Sequence, residues 1–198
     1  MRKRTIAMAA GLVLLAWPGR AADTPGRDPM LDALQAPAAN PQLAPKLQTY
    51  GRFVGSWALD VTWHPPGGAP ARTAAGEWHF AWVLDGRAIQ DVWIFPTGTQ
   101  RDKPEPWHFY GTTLRWYDPQ IDAWHITYLE PTRPFVQRQL GRAVGSDIVQ
   151  LGEDANGVQR RWRFSEITDR SFHWIGEVSW DKGATWTLEL DMRAKRAS

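Results

Sequence analysis

The 198-residue chain sets 23 Lys and Arg against 21 Asp and Glu, contains no Cys, and gives 12% of its positions to aromatic residues, including 13 Trp. That length suits one domain with appendages and is enough to bury a core. The missing Cys excludes disulfides and a lipid-attachment thiol, and the near-balance of charge excludes a strongly basic surface. Gly 17 and Pro 15 are dispersed between apolar runs, and no long helical period appears, so many short strands joined by turns are expected.

The first 22 residues read as a signal peptide. Arg2, Lys3 and Arg4 form a positive start, Thr5 to Trp17 an apolar stretch, and Gly19-Arg20-Ala21-Ala22 offers small residues for cleavage after Ala21 or Ala22. The apolar stretch is too short, and too soon followed by Pro18, for a stable membrane span. Cleavage after Ala21 removes four positive charges and no negative ones, taking the formal charge from +2 to −2. A periplasmic or secreted product is expected, and a nucleic-acid partner loses its main support.

Residues 23–46 read as a Pro/Ala-rich linker, a tether or lid strand of low order broken by Pro25, Pro29, Pro37, Pro41 and Pro45. Met30 to Gln35 could form one helical turn. Lys46 to Tyr50 leads into the domain as a short helix able to plug one end of it. Residues 47–195 then read as an all-β domain of about ten strands. Phe53 to Trp63 is the first, with Phe53, Gly55, Trp57, Leu59, Val61 and Trp63 on one face.

The clearest hairpin is Gly76 to Phe95, turned at Asp85-Gly86, where both residues must take positive φ. A two-residue loop sets Leu84 against Arg87, Trp82 against Ile89, Phe80 against Asp91 and Trp78 against Trp93. Trp107 to Tyr117 and Trp124 to Glu130 make the next hairpin around Asp118-Pro119. Phe135 to Ala143, Asp147 to Leu151, Val158 to Phe164, Ser171 to Trp180 and Thr185 to Ala194 complete the order. An up-and-down meander of this size leaves no open edges if it closes into a barrel.

Gly55-Ser56-Trp57 resembles the Gly-x-Trp signature of the calycin barrels, the lipocalins and their relatives. Together with Phe53-Val54, Leu84-Asp85-Gly86-Arg87, Gly111 to Pro119 with Trp124, and Ser179 to Trp186, it resembles a bacterial calycin-like secreted family of unknown function, distantly similar to lipocalins and nitrobindins. The resemblance implies an up-and-down barrel with an internal cavity, and no known activity. Ser179 to Trp186 also matches the Asp-box pattern of sialidase-like propellers, but a propeller needs several copies, so a turn is expected: Asp181 capping backbone N–H groups, Gly183 at positive φ, Trp186 packing beneath.

Nitrobindins hold haem through a barrel His, which raises that possibility here. His64, His79, His108 and His125 each follow a Trp, and His173 precedes Trp174, so on strands these His oppose the Trp face. If the Trp face is the interior, they point outward, and no bound cofactor or metal is expected; inverted faces would make His173 and His125 the ligands.

The residues expected to line a ligand chamber are Trp82, Ile89, Asp91, Trp93, Arg115, Tyr117, Trp124, Tyr128, Trp162 and Trp174. Asp91 and Arg115 on an aromatic face could either brace the barrel or anchor a ligand. A small lipophilic or aromatic molecule is the expected partner. Two alternatives stand beside it: a structural or interaction module of the envelope, with a filled interior, and an isomerase, cyclase or hydrolase using Asp91, Arg115 and Tyr110 or Tyr128.

Overall fold

The computed structural model describes residues 28–97 and 107–197. The expected signal peptide and the first linker residues lie outside the described residues. Two short helices, α1 (Pro29–Leu34) and α2 (Ala44–Gly51), precede ten strands: β1 (Gly55–Trp63), β2 (Arg72–Val83), β3 (Ala88–Phe95), β4 (Phe109–Asp118), β5 (Ala123–Glu130), β6 (Phe135–Val144), β7 (Asp147–Glu153), β8 (Gln159–Ser165), β9 (Ser171–Ser179) and β10 (Thr187–Arg196). Each strand pairs antiparallel with its neighbour in sequence, and β1 pairs with β10, closing the barrel. Closure satisfies both edges of the sheet at once.

Strand parity decides what is inside. Trp57, Leu59 and Val61 of β1 are buried, as are Trp78, Phe80 and Trp82 of β2, and the residues between them face outward. The register of the β2–β3 hairpin is the expected one, with Trp78 opposite Trp93, Phe80 opposite Asp91 and Trp82 opposite Ile89. Its turn is wider than two residues. Leu84, Asp85 and Gly86 all have positive φ, and the Leu84 N–H bonds outside the ladder, to Leu34 O at 2.9 Å.

That bond corrects the reading of the preceding segment as loose. Ala36 N donates to Trp82 O and Asn40 N to Gly86 O, both at 2.9 Å, so the Pro-rich stretch is laid against the hairpin. Proline removes N–H groups from this stretch, but the few that remain are enough to dock it. A Cβ at Gly86 would sit 2.2 Å from Ala38 O, so the glycine is required by this contact as well as by its φ of 67°.

α2 plugs one end of the barrel. Leu47, Tyr50 and Phe53 are fully buried there; the Tyr50 ring lies 4.8 Å from Trp124, and Phe53 stacks on Phe164 at 4.7 Å and meets Phe172 edge-on at 4.9 Å. Each such ring contributes about 1.5–3 kcal/mol of burial. The other end carries the ends of β1, β3, β5, β7 and β9 and the starts of their successors, with a single 3-10 turn, Pro66–Gly68, in the β1–β2 connection. No described helix is long and apolar enough to cross a membrane.

Candidate functional site

The interior is hollow towards the end away from α2. A cavity of about 350 Å³ is lined there by Trp63, Pro66, Trp78, Trp93, Phe109, Thr113, Arg115, Tyr128, Arg133, Phe135, Arg160, Trp162, Trp174, Glu189, Leu190 and Met192. Small-molecule pockets begin at about 300 Å³. Aromatic rings form most of the wall: Trp93 lies 4.9 Å from Phe109, Tyr128 5.7 Å from Trp162, and Trp162 5.7 Å from Trp174, centroid to centroid.

Five of the ten residues expected in a chamber line this one: Trp93, Arg115, Tyr128, Trp162 and Trp174. The others do not, because the helical plug occupies their half of the barrel. Ile89 and Trp124 pack in the core around α2, and the Trp82 ring fits against Gly51, where a Cβ would meet it at 2.6 Å. Tyr117 sits half-exposed at the plugged rim, donating to Asp122 at 2.6 Å with the Lys46 ammonium 5.6 Å from its ring. Asp91 is buried behind Arg115 instead of on the cavity wall. Tyr110 lies on the outer face, 44% exposed, out of reach of any chemistry inside.

The floor is the ion pair of Arg115 Nη1 with Asp91 Oδ2, both side chains essentially inaccessible. The guanidinium lies over the rings of Tyr50 and Phe80, 5.4 Å and 5.6 Å from their centroids. Burial drives the Tyr50 phenol well above its usual range, partly offset by the Arg115 charge, so Tyr50 faces the cation as a neutral ring.

A second buried carboxylate stands behind the wall. Glu130 accepts from Tyr110 N at 2.8 Å, Thr132 Oγ1 at 2.6 Å, Arg133 Nη2 at 3.4 Å and the Tyr128 hydroxyl. Burial, then the Glu130 charge, hold the Tyr128 phenol far above its ordinary pKa, so it stays a donor. The mouth is marked by Arg133, whose guanidinium lies 3.7 Å from the Phe109 centroid, and by Arg160, 5.1 Å from Phe135 and 3.2 Å from Glu189.

Eleven lining residues were outside the expected set, among them Arg133, Arg160, Glu189, Phe135, Phe109 and Thr113. Parity on β4 puts Phe109 and Thr113 on the face of Arg115, and parity on β8 puts Arg160 on that of Trp162, so those three were recoverable. Arg133 follows from no pattern, since it projects from the turn between β5 and β6.

No histidine lines the cavity. His79 bonds Ser56 at 2.9 Å, His125 stacks on Trp116 with centroids 5.0 Å apart, and His173 bonds Asp191 at 3.1 Å, all on the outer face. The chamber therefore does not fit a His-ligated haem. Among the described residues no group of three or more His, Cys, Asp or Glu could hold a metal ion.

No family model matches the chain, and no curated protein matches it. Solved structures do. The S-type phycobiliprotein lyase CPES from Guillardia theta is similar over 76% of this chain and 92% of its own, at 13% identity and a TM-score of 0.51. Rv2717c from M. tuberculosis is similar over 78% and 98%, at 14% identity and a TM-score of 0.51. EF1p2_mFAP2b bound to DFHBI covers 77% and 99% at 16% identity, with a TM-score of only 0.40. At these identities what the first two share with this chain is the fold, a closed antiparallel barrel.

Proposed function

We propose that this chain is an exported, non-enzymatic binding protein of the bacterial calycin-like kind, holding a small apolar or aromatic molecule in the open half of its barrel. The observation that carries the reading is the 350 Å³ chamber walled by Trp63, Trp78, Trp93, Trp162 and Trp174. A packing module has no use for such a void, because unfilled space forfeits contacts and costs stability. The plug supports the same reading: it fills one half of the barrel with Leu47, Tyr50 and Phe53 and leaves the other half open. Export rests on the basic, apolar and small-residue order of the first 22 positions.

Titration of the purified chain with a panel of lipophilic and aromatic compounds, followed by indole emission, tests the binding reading. Saturable quenching by some members is the expected outcome; no response from any member returns the chain to the structural-module class. Intact-mass analysis of the protein recovered from its source tests export, and a mass that retains Met1 would end that part.

A further inference from the structure

Three arginines border the cavity, and they differ in how fully their charge is spent. Arg115 on the floor is closed against Asp91, whose other oxygen has no hydrogen-bond partner, so an arriving anion there would have to compete with a buried carboxylate. Arg133 at the mouth lies against the face of Phe109, and Arg160 lies over Phe135 while paired with Glu189. Glu130 shares its two oxygens among four donors and reaches Arg133 at only 3.4 Å, while Glu189 takes a single bond from Arg160 at 3.2 Å.

A guanidinium has five N–H donors in a planar fork. Among the described residues the guanidiniums of Arg133 and Arg160 each make one hydrogen bond, through Nη2 and Nη1, and the buried Nε of each is without a partner. The formal charges of Arg133, Arg160, Glu130 and Glu189 cancel, but the Glu130 side chain is 0% exposed. A molecule at the mouth therefore meets two guanidiniums and one carboxylate.

We propose that the cavity selects a flat aromatic or conjugated anion, its apolar body among the indoles and its acidic group held at the mouth by the forks of Arg133 and Arg160. This rests on the small-molecule-binding reading and adds the charge and the orientation of the ligand. Ring-stacked guanidiniums are already fixed in place, so little rotamer freedom is lost when they engage an anion.

Two dyes that share a body and differ in charge test it: 8-anilino-1-naphthalenesulfonate and the neutral N-phenyl-1-naphthylamine, each titrated into the purified chain. The anionic dye is expected to bind about tenfold tighter, as partly exposed charge-assisted hydrogen bonds allow, and added salt should narrow the gap. Arg160→Gln should erase most of the difference, weakening the anionic dye about tenfold and the neutral dye far less; Arg133→Gln should do the same if it remains folded by thermal melt. Arg160→Gln carries the test alone if Arg133→Gln does not fold, because Glu189 can be solvated. Equal affinity for the two dyes, or equal loss of both in Arg160→Gln, overturns the charge assignment and leaves binding standing. Failure of both dyes to saturate overturns the binding reading together with this one.

Discussion

The guanidinium of Arg196 lies 4.2 Å from the centroid of Trp57 and ties together two stretches of backbone, 52–54 and the β8–β9 turn. It donates from Nη1 to Val54 O at 2.9 Å, from Nη2 to Arg52 O at 2.8 Å and from Nε to Asp169 O at 2.8 Å. Trp57 in turn donates its indole N–H to Phe53 O at 2.7 Å. Gly55 completes the cluster: its φ is 122°, and a Cβ there would stand 2.8 Å from Arg196 Nη1. The last residue of β10 thus seals the plugged end of the barrel at the first turn of β1.

Arg196→Ala should therefore cost about 2–5 kcal/mol, from three lost bonds to carbonyls and a lost cation–π contact. Gly55→Ala should be destabilising for a different reason, since it forces an L-residue into positive φ against the same guanidinium. Urea unfolding measures both. If Arg196→Ala melted with the native protein, the clamp would be ornamental.

The floor pair gives a sharper expectation. With side chains 0% and 1% exposed, neither Asp91 nor Arg115 can turn to water when its partner is removed. Asp91→Ala should cost about 3–5 kcal/mol, and the double variant Asp91→Leu/Arg115→Met should recover most of that, because the apolar pair needs no desolvation. Denaturant midpoints of the single and double variants, combined as a cycle, decide it. A double variant no better than the single would mean the pair has structural value beyond its mutual neutralisation.

What the sequence disclosed was the strand order, and the reason is that alternation survives intact in this chain. The pattern Trp57, Leu59, Val61 or Trp78, Phe80, Trp82 states its own period, and Asp85-Gly86 states its own register. The site was half legible for one physical cause. Aromatic parity tells inside from outside, but depth along the barrel axis depends on where α2 stops, and no period encodes that. Hence Trp82, Ile89 and Trp124 shared the interior face with Trp93 and Trp162 and yet belong to the plug. Tyr117 went the same way, to the plugged rim. The mouth arginines were missed for two other reasons: Arg133 comes from a turn, where alternation has ended, and Arg160, which shares the parity of Trp162, stands in the basic run Arg160-Arg161-Trp162-Arg163 that reads as a solvated face.

The Asp181 turn predicts a pH dependence. Its carboxylate accepts from Thr185 N at 2.8 Å and Thr185 Oγ1 at 2.6 Å, with Ser179 Oγ at 2.8 Å, and these bonds hold its pKa down to about 2. A depressed folded-state pKa contributes stability that is complete above the unfolded value of about 4 and disappears as pH falls towards about 2. Asp181→Asn should be less stable than the native chain near neutral pH, with the gap closing across that acid window. Thermal midpoints taken through the window test it; a constant gap would place the stabilisation in the turn's backbone, with no share for the charge.

The last expectation separates binding from folding at the chamber itself. Leu190 is 7% exposed and lines the cavity near the start of β10, in the stretch where Glu189 and Arg160 mark the mouth. In a filled core, enlarging such a residue costs about 1–3 kcal/mol because neighbours must leave their rotamers. Here the added ring of Leu190→Trp can enter a 350 Å³ space, so the change in unfolding free energy should stay under about 1 kcal/mol. The same ring occupies the volume a ligand needs, so affinity for any compound that quenches the native indoles should fall by about tenfold or more. Thermal melts and fluorescence titration of this one variant read the two effects separately. A strongly destabilised Leu190→Trp would show that the walls cannot yield to an added ring, and a stable variant with unchanged affinity would place the ligand somewhere other than this chamber.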